Sequence, residues 1–532
     1  MEDKNNLQCL GLISFFYVLP LEKTLLEKVL APFQIDIEHF RDCISVLEKS
    51  ELIEVSYEYA KIPEQNIALY FFYRAVVQDS LISLPILFDN FYARNRDRFR
   101  DCIIPVTNIF GGSNITDKIE PIVKKYFQSL EHGSDISIEL LDDFWFILLD
   151  ECLDYIQKSI VNLKITTTIE FTPQEKSDFN INEMGKPLSL IRKFIRSNYE
   201  MGTVLELAFE YVQKDPSRLP YLHYIIKEDL SIKGDDFRSG FTTQLTFLEK
   251  LRTGIESGEH LFSLFFLESA NYFLKFVVEY HEYNSRTSAI IISRTRLPNE
   301  PSIHRLRENI WLLVETLWDT NGQRCLQILE QYLQNELNED IDLLNFDTKY
   351  INTLIKSNFN PDSFEHCKFL YDLRRYYRRI KYFDAEIENL QEQFSNKTFN
   401  LYLKLRWDIL GDRGKYEDYN FDEFNSQKKA ELLSSFKLET EDGVEKFYSE
   451  CLALSNLTPT QNYHKSISVV VQGLMNAKPA LGFYWLTIMI KNGNNLKLFP
   501  ESYFFEGVNS RREFGKIWSL INSGEYEKKI YW

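Results

Sequence analysis

Between Ser50 and Phe110 the hydrophobic period of this chain changes from two to about 3.6, and that change restricts the folds open to it. Leu52, Ile53 and Val55, then Tyr57, Tyr59 and Ile62, are β-forming residues, with Ser56 and Glu58 at the expected turn. The segment therefore predicts two short strands. Pro63 has no amide hydrogen to donate and ends the pairing. Leu69, Phe72, Tyr73 and Val76 then recur at spacings of three and four, which predicts a helix with one apolar stripe. A hairpin placed after one helix and before another, long and apolar, predicts the end of a winged-helix unit.

Residues 7–50 supply the three helices such a unit needs. The first, Leu7 to Leu19, is apolar nearly all round and is expected to end at Pro20. The second runs from Leu21 to Leu30, and Pro32 closes it. Asp36 is a suitable N-cap for the third, with Ile37, Phe40, Ile44 and Leu47 facing inward. In a winged helix this third helix would read DNA. Its outward positions are Glu38, Arg41, Asp42, Ser45, Glu48 and Lys49, which carry no cationic surplus for phosphate. Packing against protein is the favoured role.

At 532 residues the chain is too long for a single core, and two to four structural units are expected. Lys and Arg total 61 against 78 acidic residues, a formal charge of −17, which disfavours nucleic acid as a general partner. The seven cysteines include no CxxC pair, so reduced, buried thiols are expected rather than a disulfide framework or zinc site. No signal-peptide pattern opens the sequence, and no uncharged apolar run reaches membrane-spanning length. A cytoplasmic, membrane-free protein is the expectation, with no cofactor.

Beyond Asn114 one helical pattern follows another: Asp117–Leu130, Ile138–Val161, Glu259–Tyr283, Ile303–Trp318, Gln323–Leu337, Phe364–Phe394 and others with short polar joints. The β-branched run in 164–186 reads as a strand and linker, and Ala289–Ile292 falls in a loop or strand insertion. The expected fold class is mainly all-α: a winged-helix-like N-terminal unit followed by irregular TPR-like helical repeats, an α-solenoid without a clean 34-residue consensus. The expected divisions are 1–75 for the winged-helix-like unit, 76–185 for a helical linker domain, 186–322 for a helical domain with the insertion, and 323–532 for the helical-repeat region.

No catalytic motif stands out. HExxH and GxSxG are absent, and a cysteine nucleophile with a distant histidine has only weak support. Asp142, Asp143, Asp150, Glu151 and Asp154 read as a solvated acidic face rather than an acid–base pair. Arg94, Arg96, Arg98 and Arg100 alternate with Asp97 and Asp101 and are expected to pair within the chain. The best candidate contact site is the basic-aromatic run Arg374, Arg375, Tyr376, Tyr377, Arg378 and Arg379, with Lys381 close by. Arginine and tyrosine dominate protein interfaces and also serve nucleic acids. A solvated helix face is the plainer reading of the same run, and it stays open. The terminal Ile530, Tyr531 and Trp532 are expected to dock on the body or on a partner.

The order of helical unit, hairpin ending in AKIPEQNIALYFFYRAVV, and arginine-studded helix ending in DCIIPVTNIFGG resembles the segment that follows the ATPase core in large bacterial STAND NTPases. The resemblance is strongest over residues 1–112 and beyond 330 reduces to helical-repeat character. In the antiviral branch of that family, a winged-helix segment precedes a long helical sensor. The resemblance therefore implies a non-catalytic sensor that binds a viral (phage) protein. It further implies that binding triggers homo-oligomerisation of an NTPase-effector region supplied in cis or in trans. The family's P-loop is missing here: Gly185-Lys186 precedes Pro187, and Gly414-Lys415 precedes Tyr416. An excised C-terminal half or one subunit of a split system is expected. A winged-helix transcription regulator, a helical-repeat scaffold and an unrecognised enzyme remain the alternatives.

Overall fold

A computed structural model describes residues 3–110, 112–163, 183–234, 236–284, 289–335, 341–407, 421–459, 463–492, 496 and 515. It holds twenty-two α-helices and five strands among those residues, so the fold is mainly all-α. The chain forms two compact units, Met1–Ser231 with Thr243–Phe265, and Ile232–Thr242 with Phe266–Trp532.

The first unit opens with α1 (Lys4–Phe16), β1 (Val18–Pro20), α2 (Lys23–Leu30), α3 (Ile37–Lys49), β2 (Glu54–Ser56) and β3 (Tyr59–Lys61). The strands form one antiparallel sheet in the order β1-β3-β2, with Leu19 opposite Ala60 and Ala60 opposite Val55. Helix, strand, two helices and a hairpin on one small sheet is winged-helix topology. One element differs from the expectation. The first helix stops at Phe16, where Tyr17 takes φ 66°, and Val18–Pro20 becomes a strand instead of a last helical turn. Pro20 is tolerated because β1 lies at the edge, where its missing N–H breaks no ladder.

The unit does not end after residue 75. Helix α4 (Gln65–Phe72) continues into a wide π-type turn, Tyr73–Gln78, so an expected boundary there falls inside helical structure. Gly11 of α1 crosses this turn so closely that a methyl group would run into Ala75 Cβ and reach 2.7 Å from Ile82 Cδ1. There follow α5 (Leu84–Ile109), kinked at Asn95, and α6 (Gly112–Ser129). The expected helix over 138–161 is two, α7 (Asp135–Asp143) and α8 (Leu149–Val161), because the chain turns between Phe144 and Leu148 to bury both residues. Helices α9 (Lys186–Ser197), α10 (Met201–Lys214), α11 (Leu219–Ile225), α12 (Thr242–Glu256) and α13 (His260–Ser269) follow, and residues on both sides of the expected division after Gly185 belong to the first unit. The strand expected in 164–182 lies outside the described residues.

In the second unit the expected helix over 259–283 is overturned. After α13 the chain forms β4 (Val277–Asn284), antiparallel to β5 (Ala289–Arg296). VVEYHEYN is rich in β-branched and aromatic residues, and pairing with a second β-forming run outweighs the helical spacing. Helix α14 (Pro301–Tyr332) consists of two helical stretches joined at a kink, where Asn321 takes a non-helical φ of −136° and ψ of 32°, next to the expected division at 322. Helix α15 (Ile341–Asn358) packs on it. The helix expected over 364–394 is divided into α16 (Phe364–Arg379) and α17 (Ala385–Gln393): Lys381 adopts φ 58°, and Asp384 caps the new start by accepting from the Ile387 N–H. The unit continues with α18 (Lys397–Leu405), α19 (Phe421–Ser435), α20 (Glu441–Leu457), α21 (His464–Ala477) and α22 (Pro479–Lys491). Each of the last three packs against a helix two places earlier in the chain. Gly414, Lys415 and the terminal Ile530, Tyr531 and Trp532 lie outside the described residues.

Candidate partner-binding surface

Helix α16 carries the basic-aromatic run. Ser363 starts the helix by accepting from the His366 N–H, and Phe364, Cys367, Leu370 and Leu373 form its buried stripe. Tyr376 and Tyr377 continue that stripe and are buried. Their rings are core, so a partner meets the arginines and not the tyrosines. Tyr377 shares a 2.7 Å hydrogen bond with the Thr348 hydroxyl on α15. Arg374 and Arg378 converge on one carboxylate, Glu388 of α17, at 2.6 and 3.1 Å. Arg375 lies over the Tyr371 ring and 3.8 Å from Asp372, whose carboxylate is also 3.0 Å from Lys368 and 3.8 Å from Arg406. Arg379 lies over the Tyr376 ring. Glu388, Asp372 and Glu330 thus partly neutralise the cations of this stretch, Lys368 lying 3.7 Å from Glu330, and Phe383 is strongly exposed at the adjoining turn. The run is a local concentration of arginine on an acidic chain, able to meet carboxylates.

In the first unit the α3 face is different in sign. Phe40, Cys43, Ile44 and Leu47 are buried, and Glu38, Asp42, Ser45, Val46, Glu48 and Lys49 are exposed. Arg41 is 3.5 Å from Glu38, so its charge is partly offset. Exposed apolar side chains gather around this unit: Tyr17, Val18, Leu25, Val46, Tyr57 and Tyr59. Such a surface suits protein better than phosphate.

Three of the arginines of α5, Arg96, Arg98 and Arg100, have structural partners. Arg98 donates from Nε to the Phe15 carbonyl at 2.9 Å and from Nη2 to the Ser14 carbonyl at 3.2 Å, placing a cation at the C-terminus of α1. It helps line a cleft of about 250 Å³ with Ser14, Tyr17, Gln65, Ala68, Leu69, Asp101 and Cys102. Arg96 forms a two-pronged pair with Asp143, at 2.9 and 3.0 Å, and Arg100 meets Asp97. Arg94 is exposed.

The acidic run of α7 and α8 is therefore not one solvated face. Asp143 is buried and accepts from Arg96 and from the Tyr92 hydroxyl at 2.8 Å. Asp142 receives Lys193 at 2.5 Å and Lys186 at 3.1 Å. Burial alone would raise its carboxyl, but the two ammonium groups outweigh burial and hold it below the usual range. Asp154 pairs with Lys158 within α8. Two further buried aspartates had no place among the sequence candidates. Asp229 takes Arg192 at 2.6 Å and Arg196 at 2.7 Å. Asp347 takes Arg307 at 2.6 Å, the Trp311 indole N–H at 2.8 Å and the Tyr332 hydroxyl at 2.8 Å. Desolvation pushes the Asp347 carboxyl up, against the opposing pull of Arg307 and the hydrogen bonds. The signal was present: Asp347 sits between Leu344 and Ile351, and Arg307 between Leu306 and Ile310, on stripes otherwise apolar.

All seven cysteines are free and buried. Burial raises their thiols, Cys367 to about 11 and Cys102 and Cys325 to about 12, which disfavours the nucleophilic thiolate. His366 stacks on Phe359 with ring centres 4.3 Å apart, and its Nδ1 accepts from the Asn360 N–H at 2.9 Å. Among the described residues no group of three or more His, Cys, Asp or Glu side chains is placed to hold a metal ion, and no helix is long and apolar enough to cross a membrane. No protein-family model matches the chain, and no curated protein or solved structure is significantly similar to it.

Proposed function

We propose that this chain is a regulatory partner-binding protein: the sensor region of a STAND-type antiphage system, which binds a viral protein and triggers oligomerisation of an NTPase-effector supplied in cis or in trans. The observation that carries the reading is the winged-helix topology combined with a third helix whose outward face bears Glu38, Asp42 and Glu48. A DNA reader needs cationic density at that position. An acidic, apolar-studded winged helix instead serves as a protein-packing module. The helical second unit supplies the extended surface on which a ligand would be held, with the α16 arginines as its basic patch. The antiviral assignment rests on the resemblance over residues 1–112. A ligand works such a switch by binding the oligomer-competent shape more tightly than the resting one.

Tagged protein exposed to lysates of phage-infected and mock-infected cells provides the test, with bound proteins identified by mass spectrometry. One viral protein enriched only after infection is the expected result. Enrichment of neither a viral protein nor a P-loop partner would overturn the sensor reading. A steeply salt-dependent gel shift would instead favour a transcription regulator.

A further inference from the structure

The hairpin β4–β5 treats its edges differently from the winged-helix sheet. Strands β1 and β2 are three residues long, and β1 ends in Pro20, so each outer edge offers little to pair with. Short length and proline are the usual protections of an edge strand. Strands β4 and β5 are eight residues long, and the described residues give this sheet no third strand. The sequence Ala289–Arg296 contains neither proline nor lysine. Alternation puts Ile290, Ile292, Arg294 and Arg296 on one face of β5, and all four are exposed, Ile290 at 67% and Ile292 at 60%. At the base of the hairpin Val278 and Leu297 are buried, so the ladder is anchored there. A lone two-stranded ladder is marginal in water, and exposed isoleucines on it gain from a further strand.

We infer that the outer edge of β5 is a strand-addition site for an extended segment of another protein, one with apolar residues opposite Ile290 and Ile292 and carboxylates opposite Arg294 and Arg296. This rests on the partner-binding reading above and gives it a location and a chemistry. Backbone hydrogen bonds along β5 would supply affinity, and the alternate side chains would supply selectivity. Charge decides the occupant. Arg294 already meets Glu279 at 2.7 Å, and Arg296 stands opposite the uncharged Val277, so the strand end at Arg296 has no carboxylate directly across the ladder. An acidic strand complements it. A second copy of β5 would bring arginines of its own.

The test uses the full chain and a fluorescent synthetic octapeptide that alternates threonine with two glutamates and then two valines, an order that places the glutamates opposite the arginines in antiparallel pairing. Anisotropy should show saturable binding, and hydrogen exchange should show new protection confined to the β4–β5 segment. Ile290→Lys with Ile292→Lys should weaken binding at least tenfold with unchanged helical circular dichroism. Arg296→Glu, which leaves the isoleucines in place, should weaken it severalfold, and a peptide in which lysine replaces only the glutamate opposite position 296 should restore it. No saturable binding, or binding unmoved by both variants, overturns the site. Concentration-dependent dimerisation abolished by the isoleucine variants would assign the edge to a second copy and overturn the acidic partner. If the isoleucine variants still capture the same viral protein from lysate, the hairpin assignment fails while the sensor reading stands.

Discussion

Each unit contains an aspartate that gathers a tyrosine hydroxyl and an arginine, but the two clusters are placed differently. In the first unit Asp143 holds Tyr92 and Arg96, and Arg96 also reaches Glu139 at 2.7 Å while its side chain remains 24% exposed. In the second, Asp347 holds Tyr332, Trp311 and Arg307, and both charged side chains are 0% exposed. Arg307 also donates to the Lys275 carbonyl and lies over the Phe276 ring at 4.9 Å. Desolvation by burial raises the phenols of both tyrosines. The same residue types thus form a rim clamp in one place and a sealed ionic core in the other. A charge at the rim that loses its partner can turn to water. A sealed charge cannot.

The largest effect should follow from Asp347→Ala. It strands Arg307 in the core, and removing one partner of a buried pair costs about 3–5 kcal/mol. Urea unfolding followed by hydrogen exchange in α14 and α15 would measure it, and a loss below about 1 kcal/mol would mean that water reaches the arginine. The joint variant Arg307→Met with Asp347→Leu sharpens the point. Replacing the whole pair with apolar side chains should recover the part of the loss that comes from the stranded arginine, while the buried Tyr332 hydroxyl and Trp311 N–H still lack their acceptor. If the joint variant is no better than Asp347→Ala, the cluster's geometry and not its charge balance holds α14 against α15.

Asp143→Ala should be milder. Arg96 keeps Glu139 and solvent, so the main loss is the partner of the buried Tyr92 hydroxyl, about 1–3 kcal/mol. The same unfolding experiment, read in α5 and α7, checks it. A loss equal to that of Asp347→Ala would erase the distinction between rim and core.

How much of this could be read in the sequence depends on range. The third helix was legible because Asp36 and the Phe40, Ile44, Leu47 stripe are local signals, and so was the β2–β3 hairpin. Strand β1 was not, since Val18–Pro20 becomes a strand only by pairing with residues some forty positions away. The same holds for β4, whose helical spacing was overruled by its pairing with β5. At the candidate site, composition identified the arginines of α16 but not the inward turn of Tyr376 and Tyr377. That turn follows from their continuing the Leu370 and Leu373 stripe. The buried aspartates were harder, because a charged residue on an apolar stripe names a buried charge without naming its partner on another helix.

The smallest effect should be the part of the second unit's pH dependence that His366 supplies. Burial against Phe359 holds the His366 imidazole below its ordinary value of 6.5. Protonating Nδ1 would also remove the acceptor that the Asn360 N–H now uses. A base whose folded pKa is depressed contributes stability that is fully present above its unfolded pKa and is lost as pH falls through the folded value. The second unit should therefore lose stability as pH falls from 7 to 5, and His366→Phe, which keeps an aromatic ring on Phe359, should flatten that slope while lowering stability at pH 7 by the lost loop hydrogen bond. The first unit has a buried histidine of its own, His223 on α11, and its slope over this range should not change with a variant at His366. Parallel slopes in both units, unaltered by His366→Phe, would place the pH sensitivity in other groups, and His223 and then Asp142, which pairs with Lys193 and Lys186, would be the ones to substitute next.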